Sequence, residues 1–324
     1  MHNVNSMFYT GAEPWHGLGR KLEGVATAAQ AIEAAGLGWG VVKEPLYLKD
    51  GRLVPAAYAT IREDSKDVLG VVGEVYRPLQ NREAFSFFDA VVGSKEAIYH
   101  TAGALGAGER VWILAKLPGQ VRVVGDDVAD KFLLLTNTHD GTSAVQVMFT
   151  PIRVVCQNTL NVAVGDGSRK QKIRHTAAMG LRVADVREGL GIIQERFRIF
   201  EEAAQAMTRV QVRGATWEAF LKSTGLLPKE ASLIGPGRRE LSGRALNIIE
   251  EVSGMFEHGK GNNLPGVKGT AWAAFNAVTE YVDHTRSSRG QGRDKLESRA
   301  ASLLFGSGAD LKQKAWDSAL ALLG

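Results

Sequence analysis

One cysteine, Cys156, stands among 324 residues. No intramolecular disulfide can form, and a reducing compartment, the cytoplasm, is the expected location. No apolar run reaches the roughly 18 residues that a membrane-spanning helix needs, so no membrane contact is expected. Met1, His2, Asn3 and Val4 carry no basic flank and lead into no apolar stretch, which argues against a secretory signal. Metal-ligand spacing is missing too. His2, His16, His100, His139, His175, His258 and His284 are scattered, with no H-x-x-x-H, H-E-x-x-H or C-x-x-C pattern, which excludes a structural zinc site and leaves only a dispersed His/Asp site open. There is no Walker A loop and no dinucleotide fingerprint after a strand. Gly103, Gly106 and Gly108 form a Gly-rich stretch with no Lys-Ser/Thr behind it, which reads as a loop. An ATP-driven recombinase is disfavoured, and no cofactor or metal is expected. These missing motifs favour a binder over an enzyme without deciding the matter.

What is there suits a globular chain. Hydrophobic residues make up 44% and charged residues 23%, enough apolar surface for a sizeable core. The net charge of +4 hides an asymmetry. Residues 1–167 hold 15 Lys/Arg against 18 Asp/Glu, whereas residues 168–324 hold 24 against 17. A basic half is the electrostatic footprint of a polyanion binder.

The pattern divides the chain into four parts: an irregular N-terminal arm (1–26), an α+β domain (27–167), a basic linker (168–177) and a helical domain (178–324). Gly11, Pro14, Gly17, Gly19 and Gly24 punctuate the arm. Thr27 with Gln30 reads as a capping box at the start of a short helix. Strands are expected near 39–48, 53–61 and 68–76. Asp50-Gly51 is expected to form a type I′ turn between the first two. Asn81 reads as the cap of a helix, with Ala84, Phe85, Phe88 and Val92 on one face. Four more strands follow near 98–104, 110–117, 132–137 and 144–149. The last pair is joined by Thr138-His139-Asp140-Gly141-Thr142, with Gly141 expected at positive φ. Beyond about residue 176 the period becomes helical, and Ile193, Phe197, Phe200, Ala204 and Met207 form one stripe. Further helices are expected near 216–223, 239–257, 270–286, 294–304 and 310–323. The class is α+β: a mostly antiparallel sheet with few helices, then an all-helical region.

Two adjacent segments are distinctive: Leu134 to Ser143, containing His139-Asp140-Gly141, and Thr150 to Leu160, containing Arg153-Val154-Val155-Cys156-Gln157-Asn158. Together they resemble the signature of the DUF932 family, in which an HDG turn precedes an R-V-V-C-Q-N-T-L block. Pro14-Trp15-His16-Gly17-Leu18-Gly19, Gly108 to Trp112, Trp272 to His284 and Gly306 to Trp316 extend the resemblance over nearly the whole chain. It implies a protein of phages or plasmids and assigns no catalytic residue. A second resemblance is one of element order alone. The short helix, three antiparallel strands and helix of residues 27–92 look like the βββα core of RecT-like single-strand annealing proteins. That likeness implies a ring or filament holding single-stranded DNA along a basic groove.

Three groups of residues compete for a role. His139 and Asp140 have the chemistry of a base and its orienting carboxylate, the basis of an alternative hydrolase or nuclease-like reading. Adjacent residues in a turn usually point apart, and the Asp-Gly turn already accounts for Asp140. Arg153, Gln157 and Asn158 form a polar cluster suited either to phosphate and base contacts or to hydrogen bonding between the two halves. Cys156 reads as a small buried hydrophobe rather than as the nucleophile of a triad with His139 and Asn158. The strongest electrostatic signal is the run Ser168 to His175, where Arg169, Lys170, Lys172 and Arg174 supply four positive charges with no acid. Such a run is either a solvated linker or a phosphate-binding segment. A second basic stretch, Arg286, Arg289, Arg293, Lys295 and Arg299, is interrupted by Asp294 and Glu297 and weighs less. Tyr76, Tyr99 and Trp112 suit the core better than base stacking. The expected function is ATP-independent binding or annealing of single-stranded nucleic acid by a homo-oligomer. Arg153, Gln157, Asn158, Arg169, Lys170, Lys172 and Arg174 are its contact residues. A protein-binding counter-defence factor is the third reading.

Overall fold

The structure, a computed structural model, describes residues 4–10, 20–24, 26–92, 98–155, 171–173, 183–229, 231–233, 241–287, 299, 302–303 and 306–324. Two sheets and a set of helices make an α+β fold, with antiparallel pairing everywhere except between the first two strands. The strands are β1 (Val4–Thr10), β2 (Arg20–Leu22), β3 (Val41–Tyr47), β4 (Leu53–Arg62), β5 (Val68–Gly73), β6 (Ile98–Leu105), β7 (Arg110–Val124), β8 (Asp127–Thr138), β9 (Val145–Arg153) and β10 (Gln171–Ile173). The helices are α1 (Ala28–Ala34), α2 (Asn81–Val92), α3 (Val183–Met207), α4 (Ala215–Thr224), α5 (Gly243–His258), α6 (Ala271–Glu280) and α7 (Ser307–Leu320). A π-helical turn, Tyr281–Thr285, continues α6.

The large sheet has seven strands in the order β10-β9-β8-β7-β6-β1-β2, and the small one is β3-β4-β5. The N-terminal arm is therefore not irregular throughout. β1 pairs antiparallel with β6 and parallel with β2, and Phe8 is buried in the core. The glycines after Thr10 masked this short strand in the sequence pattern. β10 likewise falls where a linker is expected, pairing Gln171 with Val147 and Ile173 with Val145. β7 and β8 run further than their apolar stretches suggest. Pro118 and Gly119 do not end β7. They sit in a register shift between Lys116 and Gln120, and a bulge tolerates a proline that has no amide to donate. The lengthened hairpin carries Asp127 to the helical half.

Local signals explain several element ends. Thr27 caps α1, accepting from the Gln30 amide while the Gln30 side chain takes the Thr27 amide. Asp50-Gly51 does not form a type I′ turn. Gly51 alone has positive φ (82°), and Leu48 closes the loop by donating to the Arg52 carbonyl at 2.8 Å. Asn81 is not a cap either: it is the first residue of α2, and its amide is used elsewhere.

One face of the large sheet carries Val111, Ile113, Leu133, Leu135, Val147 and Phe149, all buried. α3 lies on this face. Phe149 meets Phe197 and Phe200 edge-on at 5.4 and 6.3 Å, and Phe200 stacks on Trp316 of α7 at 4.9 Å. Sheet residues and helical residues thus belong to one hydrophobic cluster. Tyr99 and Trp112 are buried, and the half-buried Tyr76 donates its hydroxyl to the Thr138 carbonyl at 2.7 Å.

Candidate functional site

Arg153 ends β9 and faces inward. Its side chain and that of Asp127 are both 0% exposed. Nε and Nη2 donate to the two Asp127 oxygens at 2.7 Å each, in a bidentate fork. Nη2 also reaches the Gly261 carbonyl at 3.0 Å, and Nη1 reaches Asn262 Oδ1 at 3.2 Å and the Lys260 carbonyl at 3.4 Å. All five guanidinium N–H groups are thereby occupied. Trp272 Nε1 adds a third donor to Asp127 at 2.7 Å, and Asn262 turns its own amide to the Met255 and Ala273 carbonyls. Gly261 makes this closeness possible. Its φ is +78°, and a Cβ there would lie 2.4 Å from Val155 Cγ1. The expectation that Arg153 lines a phosphate groove is overturned by this geometry. Its donors are spent inside the protein, joining the β7–β8 hairpin and β9 to the loop before α6.

His139 and Asp140 serve separate partners. The His139 ring is buried and meets Trp39 edge-on at 5.5 Å. Its Nε2 lies 3.2 Å from Asn81 Oδ1. Asn81 Nδ2 already donates to the Leu37 and Trp39 carbonyls, which leaves Oδ1 to accept from Nε2; Asn137 Nδ2 lies 3.4 Å from the same ring nitrogen. The Asp140 carboxylate accepts from the Thr142 amide at 2.9 Å and hydroxyl at 2.7 Å, an Asx turn. Gly141 has φ +75°, as the turn requires. The His139 amide donates to the Glu109 carbonyl, and its carbonyl accepts from the Thr60 hydroxyl, both at 2.7 Å. The HDG turn is the peg on which the small sheet hangs. No base–carboxylate dyad forms there, which removes the geometric support for a hydrolase at this position. Burial, with the Asp140 charge adding to it, pushes the neighbouring Tyr76 phenol well above its ordinary value.

Of the basic run, Lys172 lies in β10, where its backbone pairs with Gln146. Gln157, Asn158, Arg169, Lys170 and Arg174 lie outside the described residues, as does Cys156. Among the described residues no group of three His, Cys, Asp or Glu is placed to hold a metal, and no helix is long and apolar enough to cross a membrane.

The sequence reading missed a polar cleft in the helical half. It has a volume of about 590 Å³ and opens between α5 and α7, with the π turn against it. α5 presents Arg244, Asn247, Ile248 and Glu251, and α7 presents Ser307, Asp310, Leu311 and Lys314. Each set follows i, i+3, i+4, i+7, a single helical stripe. That periodicity is visible in the sequence, but a polar stripe ordinarily faces water, so spacing alone does not mark a site. Tyr281 and Arg286 come from the two ends of the π turn, where the Arg286 amide donates to the Tyr281 carbonyl at 2.7 Å. An α-helix would set these two positions about 140° apart, and the wider turn brings them toward one face.

Comparison with known proteins accords with the motif-based resemblance. No curated protein and no solved structure matches the chain, so nothing supports the likeness to annealing proteins beyond the order of β3, β4, β5 and α2. One family model matches residues 68–304, the greater part of the chain, from β5 to just before α7. The chain belongs to that family, described as a domain of unknown function (DUF932).

Proposed function

We propose that this protein binds single-stranded nucleic acid through Arg169, Lys170, Lys172 and Arg174, as an ATP-independent strand-holding or annealing factor that works as an oligomer. The observation that supports the reading is the position of β10. It is the outermost strand of the seven-stranded sheet, paired on one side with β9. Lys172, in the middle of the basic run, therefore stands on the edge strand of the large sheet. A row of cations along an extended backbone suits a chain of phosphates, and extended residues advance by about 3.3 Å each. Gln157 and Asn158, about a dozen residues upstream, are the polar side chains proposed to touch bases. Arg153 is not part of the interface. An element carried by phages or plasmids is the proposed source, as the motif resemblance implies.

The competing account is that edge lysines simply discourage strand pairing with other chains. Fluorescence anisotropy with labelled oligo-dT across a salt series separates the two. The observed affinity should fall with salt by roughly 0.7 log units per log salt for each phosphate contacted. Changing Arg169, Lys170, Lys172 and Arg174 together to Ala should flatten that slope by roughly 2 to 3. Light scattering should show assemblies that grow with added oligonucleotide. Absence of binding at low salt, or an unchanged slope in the quadruple variant, would remove the reading.

A further inference from the structure

The cleft between α5 and α7 is used by nothing above, and three features of it call for an anion. First, Arg244, Arg286 and Lys314 line it, and none of them has a carboxylate within ion-pairing distance among the described residues. Nη1 of Arg286 is buried and has no acceptor among the described residues. A buried guanidinium N–H left empty is costly, so a site that keeps one empty is built for a group yet to arrive. Second, Tyr281 is only 5% exposed, yet its hydroxyl makes no hydrogen bond with any described residue. Tyr281 lines the cleft together with Glu251, Arg286 and Arg244. Third, the 14-residue α7 begins at the cleft with Ser307; Gly306 before it has no side chain to cap with, and Ser302 Oγ takes only the Gly308 amide, at 3.1 Å. The positive end of the helix dipole therefore adds to the cationic field.

The cleft also holds two carboxylates, Glu251 and Asp310. They would repel a bare polyanion but are good acceptors for hydroxyl groups. A volume of about 590 Å³ suits a small molecule and excludes a folded partner. We propose that the cleft binds a phosphomonoester of a hydroxyl-bearing small molecule, a sugar phosphate or nucleoside monophosphate. Arg286, Arg244, Lys314 and the Tyr281 hydroxyl hold the phosphate, and Glu251 accepts from the ligand's hydroxyls. The site is independent of the basic run on β10, so the quadruple Ala variant of that run should keep it.

Calorimetric titration of the full chain with inorganic phosphate, glucose phosphate and AMP tests the site, with glucose and adenosine as controls. At least one of the two phosphomonoesters should bind saturably and more tightly than inorganic phosphate, and the controls should not bind. Tyr281→Phe, which keeps the ring packing, should weaken that binding severalfold, and Arg286→Gln by about tenfold or more. Arg244→Ala and Lys314→Ala alter exposed residues and should weaken binding while leaving the melting temperature unchanged, so a folding defect in Arg286→Gln would not obscure the result. No saturable heat from either phosphomonoester up to about 10 mM, a millimolar limit at which only about 3 kcal/mol of binding is left, would overturn the proposal. So would affinities unchanged in Tyr281→Phe, Arg244→Ala and Lys314→Ala. An Arg286-dependent preference for terminally phosphorylated oligonucleotide, with no binding of the small phosphomonoesters, would also overturn it in favour of a strand end.

Discussion

Asp127 and Arg153 show what one buried charge demands of its surroundings. Neither side chain touches solvent, and every guanidinium donor has an acceptor. Removing one partner leaves the other charge buried and alone, which typically costs about 3–5 kcal/mol. Arg153→Met and Asp127→Leu should each lower stability by that amount in urea titrations. The double variant should lose clearly less than the sum, because neither charge is then stranded. Additive losses would show that the two residues are not energetically coupled. His100 makes a second residue-scale prediction. Burial is the main force lowering its pKa from 6.5; the Lys116 charge lowers it further and Asp130 partly opposes this. The unfolded chain then takes up a proton that the folded chain refuses, so stability is complete above the ordinary value and is lost as pH falls below it. Between about pH 7.5 and about pH 5 the wild type should lose more stability than His100→Gln. Equal losses in the two proteins would place the acid sensitivity elsewhere.

At the scale of elements, the small sheet is held to the large one by the HDG turn. β5 passes so close to it that a Cβ at Gly70 would sit 2.5 Å from the Asp140 Cα and 2.8 Å from its carbonyl oxygen. Gly51, at the tip of the β3–β4 hairpin, has positive φ but nothing within 4 Å of an added Cβ. The two glycines are therefore required for different reasons. Gly51→Ala should cost about 1 kcal/mol, the penalty for a left-handed backbone. Gly70→Ala pushes two backbones apart and should cost about 2–3 kcal/mol, as overpacking does. Denaturant midpoints of the two variants give the ordering directly, and a milder effect at Gly70 would mean that the sheets are not in close contact there. The same contact explains why Asn81 is not a cap. Its side chain is taken by the Leu37 and Trp39 carbonyls and by His139, tying α2 to the chain before β3 and to the turn.

Across the whole molecule, the sheet half and the helical half do not have separate cores. Phe149 of β9, Phe197 and Phe200 of α3 and Trp316 of α7 form one aromatic chain, and Trp272 of α6 donates to Asp127 at the start of β8. Unfolding either half alone would expose this surface and break the buried ion pair. A single cooperative transition is expected, with tryptophan fluorescence and far-ultraviolet circular dichroism changing together in urea. Two separated transitions would show that the halves are independent.

The sequence by itself determined what depends on neighbours in the chain. The Thr27–Gln30 capping box, the strands flanking the HDG turn, the positive φ of Gly141 and the buried stripe of Phe197, Phe200, Ala204 and Met207 all follow from local spacing, and the structure carries each of them. The family was legible for the same reason, because its signature is two contiguous segments. Tertiary structure alone decided what depends on residues far apart. Arg153 looked like a phosphate ligand because a guanidinium suits a carboxylate as well as a phosphate, and Asp127, 26 positions away, is invisible to local pattern. β1 joined the large sheet because β6 offered an edge, although glycines surround it in sequence. The cleft arose because two polar stripes, each ordinary on its own helix, were set facing one another across a π turn. Periodicity reports which face a residue shares, whereas only the packed chain settles what that face meets.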